Sequence, residues 1–248
     1  MKHTDYGPIA EIYDNNPLRH DIGKDSLIET VYGKSVRPMR LLDLGCGTGN
    51  YLAAQLGHYG NCSIEWIGAD KSLPMIEKAL GKNIPAAFVN CDACHLPFGN
   101  GFFDFIKVRF AHHHFTDKKR AFEEIARVIR SGGTLSIFNL AHEHMKHSWL
   151  YEYFPEAETE DAKRFPRLLE LNAMLKNHFS NIEIRAYTEI RDYTFSEILS
   201  EAENRDNSSL VIIPGKAYQN GLTRLRKDSG RKKTFTGEIA FVRCTCVK

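Results

Sequence analysis

The chain of 248 residues is 42% hydrophobic and 26% charged, the balance of an ordinary globular protein rather than a disordered one. A formal net charge of +2 gives no global field to gather nucleic acid or a membrane surface, so neither is expected as a partner. The opening residues carry no apolar core of a secretion signal and no later run is long enough to span a membrane, so a cytoplasmic protein is expected, its six cysteines reduced.

Residues 1–37 precede the first predicted strand. Ile9, Ile12 and Tyr13 are spaced for one helical face, and Leu18, Ile22, Leu27, Ile28 and Val31 predict a second helix, weakened at Gly23. The stretch LLDLGCGTGNYL at 41–52 then organises the chain. Leu41, Leu42 and Leu44 read as a strand buried on both faces. Gly45, Gly47 and Gly49 follow at alternate positions, allowing a tight turn and close approach of a ligand. A helix from Asn50 would aim its free N–H groups at the same ligand. A dinucleotide turn requires G-x-G-x-x-G, but here the sixth position is Asn50. Asp43, two residues before the first glycine, would repel a pyrophosphate and accept bonds from an ammonium group, so the turn suits a zwitterionic or cationic ligand.

From 40 to 139 strands and helices alternate, predicting an α/β fold with a Rossmann-like, mostly parallel sheet and helices on both faces. Strands are expected near 40–44, 64–69, 86–90, 104–109 and 133–139. Ser72 and Pro74 open one helix. Thr116 and Asp117 open another, with Ala121, Phe122, Ile125, Val128 and Ile129 on one side and Gly132-Gly133 as its stop. Ligands in such sheets bind beyond the carboxyl ends of the strands, which gathers Gly45, Asp70, Asp92 and the segment after Arg109. Residues 141–178 are rich in histidine, aromatics and acids and read as a lid followed by a helix over 166–178. A sixth strand over 182–187, a polar irregular insertion over 188–235 and a seventh strand over 237–243 complete a single domain. Its parts are an N-terminal helical cap (1–37), a core (38–140), the lid and helix (141–178) and the C-terminal strands (179–248).

The DLGCGTG run at 43–49 closely resembles the first motif of class I S-adenosylmethionine (SAM) dependent methyltransferases. Asp70, closing IEWIGA, resembles the acid that holds the two ribose hydroxyls in that family, and Asp92-Ala93 the pair that contacts adenine. FDFI at 103–106 and IRSGGTL at 129–135 resemble the fourth strand and the turn into the fifth. The resemblance covers about 38–140 and implies SAM as cofactor, S-adenosylhomocysteine as product and an antiparallel last strand. It implies cofactor contacts from Asp43, Gly45, Cys46, Gly47, Gly49, Asp70, Lys71, Asp92, Ala93, Arg109 and Ala111. N-terminal helices lie across the cofactor mouth in this family, making Tyr6, Tyr13 and Arg19 candidates for closing the site; as core-edge tyrosines and a solvated arginine they would instead be structural.

Methyl transfer from a sulfonium is an in-line displacement in which the protein supplies alignment and a dry pocket. After the fourth strand comes RFAHHHF, which lacks the Asp/Asn-Pro-Pro-Tyr of amino-directed enzymes and the Pro-Cys of cytosine enzymes. It resembles the small-molecule (UbiE-like) branch. His113 or His114 is a candidate general base with Tyr13 beside it, and the histidines could equally cap and pack. His112, His144, Trp149 and Tyr153 are candidates for the substrate pocket. His112–His114 with His142, His144 and His147 do not form H-E-x-x-H, and no metal is expected. Cys91, Cys94, Cys244 and Cys246 read as buried thiols, because the third and seventh strands are separated in this family. The basic run 224–233 reads as a solvated hairpin, or as a grip on RNA or an acidic substrate. The expected function is methyl transfer to oxygen or nitrogen, less readily carbon, of a small molecule by a monomer or homodimer. The rivals are an RNA or protein methyltransferase using 224–233 and a non-catalytic SAM-binding regulatory subunit.

Overall fold

The structure, a computed structural model, describes residues 6–16, 19–35, 37–205 and 207–248, the Pro8 side chain excepted. Leu18, expected in the second N-terminal helix, lies outside them. The chain forms two compact units: residues 6–139, 170–184 and 243–248 in the first, Leu140–Leu169 and Arg185–Val242 in the second.

In the first unit the N-terminal segment is less helical than its apolar spacing predicts. Among the described residues it forms the single 3₁₀ turns Gly7–Ile9 and Tyr13–Asn15 and the α-helix α1 (Ser26–Tyr32). The reason is local competition for the backbone. The fully buried Gln55 accepts from the Asp25 N–H at 2.8 Å and donates to the Gly23 carbonyl at 2.9 Å, fixing an extended approach. Asp25 then caps α1 through the Leu27 N–H.

The sheet follows the alternation: β1 (Met39–Leu44), α2 (Asn50–Tyr59), β2 (Ile64–Asp70), α3 (Leu73–Gly81), β3 (Ala87–Asn90), β4 (Phe103–Arg109), α4 (Lys118–Val128) and β5 (Ile129–Leu140). Strands β1 to β5 pair in parallel. Leu41, Leu42, Phe105 and Ile106 are fully buried at its centre, as an apolar run covered on both faces requires. After α7 (Leu168–Leu175) come β6 (Ser180–Thr194) and β7 (Thr234–Val247), giving the seven-stranded order β3-β2-β1-β4-β5-β7-β6. Strand β7 is antiparallel: Gly132 N–H donates to the Lys248 carbonyl at 2.8 Å, and Lys248 N–H to that of Gly133. Successive strands step outward from β1 to β3 and then return to β4 beside β1. The topological switch point therefore lies between the carboxyl ends of β1 and β4, where Asp43 stands opposite Lys107.

Two local expectations are corrected. Gly132 and Gly133 do not stop a helix; they lie inside β5, where a Cβ on Gly133 would stand 2.7 Å from Ile129 Cγ1. Ser72 precedes α3 without capping it through its side chain, and its N–H donates instead to Asp70.

The second unit overturns the irregular insertion expected over 188–235. It is helical: α5 (Trp149–Tyr153), α6 (Pro155–Arg164), α8 (Phe195–Asn204), α9 (Ser208–Ile212) and α10 (Gly215–Ser229). A Thr194/Glu197 capping box starts α8. Phe195, Ile198 and Ala202 of α8 meet Tyr218, Leu222 and Leu225 of α10 in one apolar core with Trp149, Tyr153 and Phe154. The basic run is thus no hairpin: most of it lies on α10, where Arg226 pairs with Glu203 at 2.8 Å, and Lys232 beyond it pairs with Asp228 at 2.8 Å. Among the described residues no helix is long and apolar enough to cross a membrane.

Candidate active site

The glycine turn is built by crowding as much as by freedom. Gly45 has φ +77°, and a Cβ there would stand 2.3 Å from the Ala111 Cβ, so the ends of β1 and β4 meet only without one. Gly47, also at positive φ, has space instead: its nearest neighbour would be Tyr13 Cε1 at 4.0 Å. Asp14 fastens the N-terminal segment to this turn, accepting from Thr48 Oγ1 at 2.6 Å and Asn50 Nδ2 at 2.9 Å while pairing with Lys82 at 2.8 Å. Burial raises the Asp14 carboxyl, but these donors outweigh it and hold it below the ordinary value. Nothing in the sequence marks Asp14, which lies 34 residues from its partner Thr48.

Three carboxylates ring the turn. Asp43 is 2% exposed, and burial pushes it up to about 7 against the pull of Arg109 and Lys107, with Asp70 pushing the same way as burial. No described residue gives it a hydrogen bond. Asp70 accepts from the Gly47 N–H and the Ser72 N–H, each at 2.8 Å, which aims it at the turn; burial still leaves it raised. Asp92 is raised by burial but held below the ordinary value overall by the Lys71 ammonium at 2.7 Å and the Cys94 N–H. Ala93 and Ala111 are buried beside these loops. Burial and the neighbouring Asp43 and Asp70 push the Cys46 thiol well up, so it is a packing residue of the turn and not a nucleophile. Gly49 packs against Phe88 and Ala79.

Beyond β4 the three histidines form a single 3₁₀ turn, His112–His114. His112 is 1% exposed, and burial lowers its pKa to about 3, so it stays neutral at any working pH. Asn139 at the end of β5 reaches Nδ1 of His112 at 2.8 Å and Nδ1 of His113 at 3.0 Å. The His113 and His114 rings lie 3.9 Å apart, and His114 Nε2 is 2.7 Å from the Tyr6 hydroxyl. The Tyr6 ring stands edge-on to Tyr13, and the Arg19 guanidinium lies 3.5 Å above the Tyr13 ring. Burial raises the Tyr13 hydroxyl, against the nearby Arg19 and Arg109. Tyr6, Tyr13, Arg19 and the histidines are therefore one cluster, and Asn139 is the member that sequence reasoning did not find. An asparagine ending an apolar strand, where a β-branched residue is usual, is the signal it left.

His144, Trp149 and Tyr153 belong to the second unit. His144 is half exposed near Glu143. Trp149 and Tyr153 are 5% and 3% exposed in that unit's own core, and the Tyr153 hydroxyl donates to Asp228. Among the described residues no group of three or more His, Cys, Asp or Glu is placed to hold a metal ion.

Residues 42–137 match the family described as Methyltransferase domain. The chain is 30% identical over 156 residues to ubiquinone/menaquinone biosynthesis C-methyltransferase UbiE of Cellvibrio japonicus, matching 55% of this chain and 61% of that protein. It is 37% identical over 106 residues to probable tRNA methyltransferase 9B of Homo sapiens, matching 42% of this chain and only 22% of the relative. A solved structure from Anabaena variabilis, described as a methyltransferase from an antibiotic biosynthesis pathway, superposes with a TM-score of 0.69 at 20% identity. The superposition covers 91% of this chain and 98% of that one.

Proposed function

Starting from a chain whose residues 42–137 match the family described as Methyltransferase domain, we propose that it is a SAM-dependent methyltransferase that methylates a small molecule on oxygen or nitrogen. The carrying observation is Asp43: a buried carboxylate with no hydrogen bond from any described residue, at the switch point of the sheet. Such a group suits an ammonium ligand, and Asp70 beside the open face of Gly47 suits a diol. These carboxylate acceptors thus fit SAM, with Asp43 for its amino group, Asp70 for its ribose hydroxyls, and Asp92 with Ala93 for its adenine. When bound, SAM supplies an electrophilic methyl group on a sulfonium.

The chain's own work is to align and to handle a proton. Tyr13 closes over Gly47, held there by Asp14 on the glycine turn. Asn139 donates to Nδ1 of His113, which leaves the ring proton on Nε2 and makes His113 a donor there. His114 is then the base: with the Tyr6 hydroxyl donating to Nε2, the acceptor's proton passes to the Tyr6 oxygen as the Tyr6 proton moves to His114 Nε2. His114→Ala should lower turnover by roughly 10²–10⁴ while calorimetry shows unchanged SAM affinity. A variant turning over at the native rate across pH 5 to 9 would leave proximity as the sole catalytic device.

Carbon methylation is the second reading, supported by the likeness to a C-methyltransferase. Nuclear magnetic resonance of the methylated product, made from isotopically labelled SAM, separates carbon from heteroatom attachment. An RNA acceptor receives less support, because Arg226 and Lys232 of the basic run are already paired within their own unit.

A further inference from the structure

A cavity of about 290 Å³ opens between the approach to α1, strands β4 and β5, and the end of β7. Four cations line it, Lys24, Lys107, Arg109 and Arg243, against two acids, Asp21 and Asp25. These cations are not equally available. Lys107 is spent inside the protein: it donates to Asp25 Oδ2 at 2.7 Å and to Ser136 at 3.1 Å, and the Tyr51 hydroxyl donates to the same carboxylate oxygen. Lys24 pairs with Glu29 at 2.9 Å. Arg109 differs. Its guanidinium lies 4.8 Å from the Phe110 ring and 5.9 Å from the Phe138 ring, and no described carboxylate or carbonyl accepts a hydrogen bond from it. A partly buried guanidinium, lying beside two aromatic rings and with no described acceptor, is a planar two-pronged receptor for an oxyanion. Arg243 on the same cavity adds a second guanidinium, while Ile22, Leu27 and Phe138 offer an apolar wall to whatever carries the anion.

We infer that the methyl acceptor carries a carboxylate or phosphate group on a small apolar or aromatic body, and that Arg109, with Arg243, receives that group in this cavity. The inference rests on the methyl-transfer reading for the word acceptor; the oxyanion site itself does not. Arg109 connects the cavity to the crevice: it ends β4 two residues before Ala111, which packs on Gly45, and the Asp43 charge acts on it. An acceptor anchored there would therefore present its far end toward the cofactor and the His114–Tyr6 pair. The size of the cavity favours one anionic group on a compact body over a polyphosphate or a nucleic-acid strand.

One oxyanion could come from two sources, the acceptor or the carboxylate of SAM itself, and calorimetry on the full chain distinguishes them. Benzoate, phenyl phosphate and the neutral benzamide serve as probes, each titrated with and without saturating S-adenosylhomocysteine, and SAM is titrated separately. The native chain should bind at least one of the two anions about tenfold more tightly than benzamide. Arg109→Gln should abolish that preference, Arg109→Lys should keep part of it and Arg243→Gln should reduce it several-fold, with SAM affinity within about threefold of native in the charge-preserving Arg109→Lys and in Arg243→Gln. Circular dichroism melts check that the variants fold, and Arg109→Lys preserves the charge if the glutamine variant does not. Equal binding of all three probes by the native chain would overturn the inference, as would a preference that survives Arg109→Gln. Loss of SAM affinity in Arg109→Gln, with the probe preference intact, would assign the arginine to the cofactor's carboxylate and overturn it too. A native chain that discriminates the probes but fails to bind SAM would instead sink the methyl-transfer reading and leave the oxyanion site standing.

Discussion

Two buried aspartates separate what this chain uses for folding from what it holds ready for a ligand. Asp161 of the second unit is fully buried and saturated: the Arg164 guanidinium pairs with it, the Tyr151 hydroxyl donates at 3.0 Å and Ser209 Oγ at 2.7 Å. Asp43 of the first unit is as deeply buried and receives no hydrogen bond from a described residue. Burying an unpartnered carboxylate costs stability, and the usual response is to keep the proton, which is why Asp43 is pushed up to about 7. The folding energy of the unit gains nothing from such a residue. Its purpose lies in what completes it.

The sharpest break of this comparison would come from stability. Asp161→Ala should strand a buried guanidinium and lower the unfolding free energy by about 3–5 kcal/mol in urea titration, whereas Asp43→Asn should cost nothing. An Asp161→Ala chain as stable as native would place both aspartates in one class.

Titration tests the other side. The Asp43 carboxyl is raised in the folded state, so the native chain holds a proton that the unfolded chain releases near pH 4. Stability attributable to this residue is therefore present below that pH and is lost as pH rises toward about 7. The advantage of Asp43→Asn over native should grow across that window to on the order of 2–4 kcal/mol by pH 8. SAM affinity should run oppositely, since an ammonium needs the carboxylate. It should be flat above pH 7 and roughly a hundredfold weaker at pH 5, with the dependence absent in Asp43→Asn.

Asp70 stands between the two aspartates, since its oxygens already accept two backbone N–H bonds and retain lone pairs for hydroxyls. Asp70→Ala should weaken SAM by about tenfold or more in calorimetry, each charge-assisted bond being worth roughly 1.5–3 kcal/mol, and should also loosen the glycine turn. The smallest effect is expected at the basic run. Replacing Arg231, Lys232 and Lys233 by Ser should change small-acceptor turnover within about twofold, because exposed pairs contribute little. A collapse that deepens with added salt would instead reveal a polyanionic acceptor.

What the sequence made legible was local. The glycines, Asp70 and the apolar strands announce themselves within a few residues, because a turn and a buried strand are set by near neighbours. The parallel sheet and its antiparallel last strand followed from that alternation and from the family resemblance. Distant pairings were not legible: Asp25 with Lys107, Asp14 with Thr48 and Asn139 with two histidines are polar contacts that only the fold brings together. The helices of the second unit were missed for a different reason. Gly221 weakens α10 by helix propensity alone, yet a Cβ there would lie 2.4 Å from Phe154 Cδ1, so the glycine is what lets α10 close on the aromatic core. Its propensity cost is offset by burial, which single-sequence periodicity does not see.

The contact between Gly45 and Ala111 bears on how this catalyst could be diversified. With only 2.3 Å between the Ala111 Cβ and a Cβ added at Gly45, neither position has room to drift alone. A library randomised at both should return little beyond glycine and alanine, since any larger side chain would part β1 from β4 and unseat the turn. New acceptor preferences would have to be sought along the walls of the Arg109 cavity, where side chains can change without touching that hinge-point of two strands. The chain thus separates a nearly unevolvable element from an evolvable one within a single sheet.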